Sequence, residues 1–324
     1  MTVANSLTGA DEFARQFDAI ADNVEHVIQG KRSVIDLTIA CLMAEGHLLI
    51  EDVPGVGKTQ LAKSLARSID CKFQRVQFTP DLLPSDITGV SVWNRQRSEF
   101  EFKPGAIFAN IVVGDEINRA SPKTQAAMLE AMAERQVTSD GVTRPLEPPF
   151  MVVATQNPLE HEGTYPLPEA QLDRFMMRLV IGYPDRAKSL EILDTHGTAS
   201  VYEKLEPVVT AESVRAMIEM ARTAHVAEGI KAYIVDLVEA TREHGEILLG
   251  ASPRSALFMQ RVARVWAQHE GRDFVTPDDV KSLAEPVLAH RMALRPEATM
   301  RGTSMHEVIA SIVGQLPIPG RDRL

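Results

Sequence analysis

Val53-Pro54-Gly55-Val56-Gly57-Lys58-Thr59 is the stretch whose residue types and spacing most plainly could do chemistry. It follows an apolar run, Leu48-Leu49-Ile50, and opens into a helical pattern through Leu61, Leu65 and Ile69. Strand, glycine loop and helix in that order form a phosphate cradle. Backbone N–H groups from Gly55 to Thr59 wrap a β-phosphate at a helix N-terminus, Lys58 neutralises β/γ charge, and the Thr59 hydroxyl ligates Mg²⁺. Val53 through Gln60 is therefore the candidate segment for binding a nucleoside triphosphate. The full pattern has glycine six residues before the lysine, where this chain has Asp52, but that position is where the strand ends.

A second element supports the first. Ile111-Val112-Val113-Gly114-Asp115-Glu116 is an apolar run ending in two carboxylates, which places the pair at the C-terminal edge of a buried strand, where open α/β sheets bind ligands. Asp115 is expected to hold Mg²⁺, directly or through water, and Glu116 to polarise the water that attacks a γ-phosphate.

The elements that position these residues can be traced along the chain. Phe13, Phe17, Ile20, Val24, Val27 and Ile28 recur at helical steps, with Asp11, Asp18, Asp22 and Glu25 on the other faces, so the chain begins with an amphipathic helix that ends at Gly30. A second helix is predicted over about residues 31 to 45. After the strand that enters the phosphate loop, four more are expected: Phe73 to Phe78, Ala109 to Val113, Phe150 to Thr155, and Arg178 to Ile181. A helix starts at Ser121-Pro122, a capping serine followed by proline at the first helical position. Alternating strands and helices predict a parallel sheet with covered faces. Residues 89 to 103 and 136 to 146, the latter with an Asp140-Gly141 turn, read as two inserted β-hairpins. Strand alternation ceases after Tyr183-Pro184-Asp185. Thr210, Ser252-Pro253 and Thr276-Pro277 then offer helix starts, the last with Asp279 at the third helical position. Two domains follow: residues 1–185, an αβα nucleotide-binding core, and residues 186–324, a helical domain.

Composition narrows the function classes. A length of 324 residues, 44% hydrophobic and 24% charged, supplies a large globular core. A net charge of −10 counts against a protein whose main task is gripping a nucleic-acid backbone and favours protein partners. Cys41 and Cys71 are in no C-x-x-C pair and read as reduced thiols. His161-Glu162-Gly163 and His269-Glu270-Gly271 lack the second histidine of H-E-x-x-H and read as loop residues rather than a transition-metal site. The N-terminus has no basic-then-apolar leader, and no apolar segment is long enough to span a bilayer, which predicts a soluble, cytoplasmic protein.

Five motifs taken together resemble the AAA+ ATPases, and specifically the MoxR family. They are Glu51-Asp52-Val53-Pro54-Gly55-Val56-Gly57-Lys58-Thr59, Asp115-Glu116-Ile117-Asn118-Arg119-Ala120, Ala154-Thr155-Gln156-Asn157-Pro158, Leu167-Pro168-Glu169-Ala170-Gln171-Leu172-Asp173-Arg174-Phe175, and Gly250-Ala251-Ser252-Pro253-Arg254. The family also carries aspartate at the loop start. The resemblance implies a five-stranded AAA+ core with hairpin insertions and a helical lid, binding ATP and Mg²⁺.

It also assigns roles. Asn157, ending the fourth strand, corresponds to sensor 1 and would hold the attacking water or the γ-phosphate. Arg254, in the first turn of a lid helix, corresponds to sensor 2, reaching the γ-phosphate across the interdomain cleft; an arginine there is unfavourable for the helix dipole, which fits an anionic ligand. Arg174 corresponds to the arginine finger that completes a neighbouring subunit's site, the rival being a local ion pair with Asp173 or Glu169. Arg119 is a second interface candidate. A finger supplied from outside implies a ring, hexameric by analogy. The implied activity is ATP-driven remodelling or maturation of partner proteins, commonly von Willebrand factor A domain proteins in this family. The alternatives are a DNA-remodelling motor, which the hairpins resemble and the acidic total opposes, and a non-motor ATP switch, which Asp115-Glu116 opposes. A small-molecule kinase fits least.

Overall fold

The computed structural model describes residues 9–158, 163–190 and 201–320. Five parallel strands form the central sheet: β1 (Leu48–Glu51), β2 (Phe73–Gln77), β5 (Ile111–Asp115), β8 (Met151–Gln156) and β9 (Met177–Leu179), in the spatial order β2-β5-β8-β1-β9. Side chains alternate along each strand; both faces of β1, β5 and β8 are covered, so these read as largely apolar runs, while the edge strand β2 leaves Gln74, Arg75 and Gln77 exposed. Leu48, Ile50, Ile111, Val113, Met151 and Val153 point into one core. Leu49, Val112, Val152 and Ala154 point into the other.

The first core is roofed by α1 (Gly9–Glu25), α2 (Arg32–Met43) and α3 (Lys58–Ser68), and it runs on without interruption into the C-terminal helices. The second is covered by α4 (Pro84–Thr88) and α5 (Pro122–Glu134), the latter capped by Ser121. α1 buries Phe13, Phe17, Ile20 and Val24, and packs against α2, α3 and the C-terminal helix Pro253–His269 at once. The two expected hairpins are β3 (Val90–Asn94) with β4 (Glu99–Lys103), and β6 (Gln136–Ser139) with β7 (Val142–Pro145). Asp140 and Gly141 both have positive φ, as the tight turn of the second hairpin requires. The Ser91 hydroxyl donates to Asp140 at 2.6 Å and the Arg144 guanidinium lies 3.7 Å from the Phe102 ring centroid, so the two hairpins are held together.

The C-terminal region is built on helices Ala211–Thr223, Glu228–Glu243, Pro253–His269, Pro277–Leu288 and Met305–Gln315. Thr210 and Thr276 cap theirs, the latter in a reciprocal box with Asp279. To this helical frame the structure adds a two-stranded antiparallel sheet, β10 (Ile247–Leu249) and β11 (Ala293–Leu294), whose strands are too short to show alternation in sequence. His161 and Glu162 lie outside the described residues. His269 is not a loop residue: it closes its helix and stacks on Phe17 with ring centroids 4.1 Å apart. Cys41 is buried and Cys71 half-buried, both as free thiols. Among the described residues no helix is long and apolar enough to cross a membrane.

His47, just before β1, ties the sheet to α5. Its Nδ1 accepts from the Val152 N–H at 3.0 Å and its Nε2 donates to the Met132 carbonyl at 3.0 Å, a pairing that only the neutral ring makes. Burial lowers its pKa to about 4, and burial with the adjacent Arg291 charge pushes His290 the same way. Between pH 6.5 and 4 the unfolded chain takes up protons that the native one refuses. Stability is therefore complete above this window and falls as pH drops through it, by about 3 kcal/mol for His47 alone. The melting temperature should decline from pH 7 to pH 5, and His47→Gln, which has no proton to gain, should melt lower at pH 7 but with a shallower slope. An unchanged slope would show that His47 is not the group responsible.

Candidate nucleotide site

β1 delivers the chain to the phosphate loop, and α3 begins at Lys58 directly after it. Gly55 and Gly57 have φ of 86° and 95°, conformations that favour glycine whatever the space around them. The Lys58 ammonium donates to the Asp52 carbonyl at 2.6 Å, so it lies over the base of the loop. Asp52 shows why a carboxylate serves where the motif has glycine. Its Oδ1 accepts from Val53 N–H at 2.7 Å, and its Oδ2 accepts from Ile181 and Gly182 N–H at 2.8 and 2.6 Å. One buried side chain thus fastens the start of the loop to the chain leaving β9, a link that glycine cannot make.

Asp115 and Glu116 emerge at the same edge, beside the end of β8. Asp115 is buried; its Oδ1 accepts from the Thr155 hydroxyl at 3.0 Å, and its Oδ2 from the Thr59 hydroxyl at 3.0 Å and Arg75 Nε at 2.6 Å. Thr59 and Asp115, predicted from positions 56 residues apart, are therefore in contact, and their oxygens suit Mg²⁺, which takes hard oxygen ligands and keeps several waters. Glu116 has φ 57° and ψ 51°, an unusual conformation for a non-glycine residue and one that concentrates at functional sites. Its amide donates to Thr155 Oγ1 at 3.0 Å, while its carboxylate accepts from Gln77 Nε2 at 2.8 Å and pairs with Arg119 at 3.0 Å. Arg119, an interface candidate in sequence, is turned onto its own chain's acid. Asn157 is buried directly after β8, on the same edge.

A pocket of about 300 Å³ opens beside the loop, lined by Gly55, Val56, Gly57 and Gln60 on one side and by Ile28, Lys31, Gly182, Pro184 and Tyr202 on another. It is placed to take the nucleoside of a ligand whose phosphates lie in the loop. Residues from the α1–α2 turn and beyond β9 carry no motif, so the sequence did not single them out.

Arg174 and Arg254 are elsewhere. In a parallel sheet all C-terminal ends lie on one edge, and Arg174 precedes β9, on the opposite edge. Arg254 joins it there, both lining a pocket of about 220 Å³ with Gly46 and His47, which precede β1. The length of β1, roughly 13 Å at about 3.3 Å per residue, separates this edge from the phosphate loop. Arg254 thus does not lie against its own chain's loop, as the sensor 2 correspondence leads one to expect. Asp173 meets it at the edge opposite the loop: it accepts from the hydroxyl of Ser252 at 2.9 Å, lies 4.0 Å from Arg254 Nε, and pairs with Arg291 Nε at 3.0 Å. Arg174 does not pair with Asp173; its Nη1 donates to the Leu129 carbonyl at 2.6 Å. Arg291 and Gln77 were invisible in sequence because neither falls in a motif; only the three-dimensional contacts reveal them.

Residues 47–177 match the ATPase family associated with various cellular activities (AAA), and residues 239–312 match the AAA lid domain. The chain is 38% identical to Chaperone MoxR1 of Mycobacterium tuberculosis over 91% of its length and 80% of the relative's, and 33% identical to Protein MoxR of Methylorubrum extorquens over 90% and 92%. It is 48% identical to the uncharacterized protein YeaC of Bacillus subtilis over 92% and 93%. The crystal structure of a "putative ATPase" from Cytophaga hutchinsonii superposes with a TM-score of 0.90 at 38% identity, covering 96% and 97% of the two chains. With a phosphate loop and an acidic pair at one edge of a five-stranded sheet and relatives of this kind along nearly its whole length, the chain belongs to the MoxR family of AAA+ ATPases.

Proposed function

We propose that this chain hydrolyses Mg-ATP within a ring of identical subunits, hexameric by family analogy, and uses the cycle to remodel or mature partner proteins in the cytoplasm. The observation that carries the ring is the placement of Arg174 and Arg254 together on the sheet edge opposite the phosphate loop. Positive charge displayed there serves a nucleotide on an adjacent copy, so each subunit holds the phosphates at one edge and completes its neighbour's site with the other.

Within one subunit, Lys58 and the loop amides hold the phosphates and Asn157 positions the terminal one. Glu116 accepts the proton of the attacking water once its hydrogen bonds to Gln77 and Arg119 rearrange. Mg²⁺, bound by the Thr59 hydroxyl and through water by Asp115, would neutralise charge on the β- and γ-phosphates. The net charge of −10 favours a protein over a nucleic acid as the object of the work, and the name chaperone carried by the mycobacterial relative points the same way. A von Willebrand factor A domain partner, common in the family, is the first to test.

Three outcomes follow. Lys58→Ala should lose ATP binding while keeping its melting temperature, because it removes the ammonium and no core contact; a titration with ATP beside a melting curve decides this. Glu116→Gln should bind Mg-ATP with near-normal affinity yet turn over at least about 10²-fold more slowly. Near-normal turnover would place the catalytic base elsewhere. Arg174→Ala should bind ATP and lose hydrolysis by about 10³, and mixing it with Lys58→Ala should recover part of the rate where an intact pocket of the first meets the intact arginine of the second. A mixture that stays dead despite proven subunit exchange would overturn the action in trans.

A further inference from the structure

Arg261 lies seven residues beyond Arg254 on the helix Pro253–His269, about two turns along, so the two share a face with Leu257 and Phe258 between them. All four line the pocket that holds Arg174, together with Arg135. A second recess, of about 320 Å³, begins at Arg261 and continues past Arg222 and Arg264. Glu45 is the single carboxylate lining either space, and it is already engaged, by Arg135 and Arg222. Arg135 is further committed to the Glu45 carbonyl at 2.6 Å. Arg261, by contrast, is exposed and makes no hydrogen bond or ion pair among the described residues.

Guanidinium groups gathered around one neutralised carboxylate repel one another, an arrangement that suits an anion able to accept several forked donors, and phosphate matches that fork. The helix sets the spacing. Arg261 stands roughly 10 Å from Arg254 along the axis at about 1.5 Å per residue, and from those two points long arginine side chains can converge on neighbouring phosphates of one polyphosphate. We propose that Arg261 is a third arginine lent to the neighbouring subunit, binding the non-transferred phosphates of the nucleotide held there while Arg174 and Arg254 face the transferred one. This rests on the reading that Arg174 acts in trans. Arg261 then contributes binding in ground and transition states alike, and its loss acts on KM rather than kcat.

Full-length Arg261→Ala, Arg261→Lys and Arg261→Glu should be compared in steady-state ATP hydrolysis at concentrations where each assembles, with Arg174→Ala alongside. Arg261→Ala should raise KM about tenfold, as expected for one lost charge-assisted hydrogen bond, with kcat nearly unchanged. Lysine should restore part of the loss, and glutamate should exceed alanine. Adding Lys58→Ala subunits to Arg261→Ala should return a fraction of sites to the unmodified KM, because the intact Arg261 then comes from the neighbour. An unmodified KM in Arg261→Ala while Arg174→Ala is inactive overturns this proposal alone, and so does weakened assembly that is the same with and without nucleotide, which would mark a contact to a neighbour's carboxylate. Normal turnover by Arg174→Ala removes the trans reading and this proposal with it.

Discussion

The two domains share one continuous apolar core, and within it the buried ion pair of Asp173 with Arg291 ties the segment before β9 to the C-terminal helices. The Arg291 side chain is 1% exposed, and taking a guanidinium out of water costs several kcal/mol unless every donor finds a partner. Here it donates to the Asp173 carboxylate and to the carbonyls of Phe175, Met176 and Val287. Burial lowers its pKa to about 10, still far enough above neutrality for it to stay charged. Three of these acceptors belong to the segment that carries Arg174, and Asp173 also takes the hydroxyl of Ser252, the residue before the helix that carries Arg254. One carboxylate therefore sets the positions of two arginines that belong to different domains. Removing either partner of a buried pair typically costs about 3–5 kcal/mol because it strands the other charge. The arginines would lose their mutual register before they lost their own side chains.

At the other edge the same logic operates with weaker links. Thr155 joins Asp115 to the Glu116 amide, and Thr59 joins Asp115 to the first turn of α3, so the two carboxylates and the phosphate loop are set by hydroxyls from two neighbouring elements. Gln77 reaches Glu116 from β2, so a change in β2 would reach the acid through a single hydrogen bond. Because the central strands β5, β8 and β1 are buried on both faces between the two edges, they transmit position rather than absorb it. On the proposed reading, this rigidity is why one subunit can present a pocket and an arginine group at a constant separation.

What could be read from the sequence was what is encoded locally. The phosphate loop, the Ser121, Thr210 and Thr276 caps and the Asp140-Gly141 turn each depend on residues within a few positions of one another, and each stands where its signal lies. The central strands were legible because burial on both faces leaves largely apolar runs, although the third begins at Ile111 rather than Ala109. What was not legible was long-range. Asp52 looked like a flaw in a motif until its carboxylate met amides 129 residues away. Arg254 was identified by type and by its helix, but the sheet edge it faces follows from long-range packing of that helix and from the pairing of Asp173 with Arg291, and neither spacing nor periodicity encodes a contact across 118 residues.

The N-terminal helices complete this picture, since they belong by sequence to the core and by packing to both domains. Asn23 on α1 donates to Ser68 at the end of α3, the helix that begins with Lys58 and Thr59. On the same helix, Phe17 carries the stacked ring of His269, which closes the helix bearing Arg254 and Arg261. Phe13 and Phe17 are fully buried between these neighbours, so a rotation of α3 cannot be taken up by rearranging side chains in α1 without opening a void, and voids in such cores cost kcal/mol. Such packing is a mechanical constraint on the fold. It limits any lid movement that accompanies the nucleotide cycle: α1 must either travel with the lid helix and slide on α3, or stay with α3 and give up the Phe17–His269 stack.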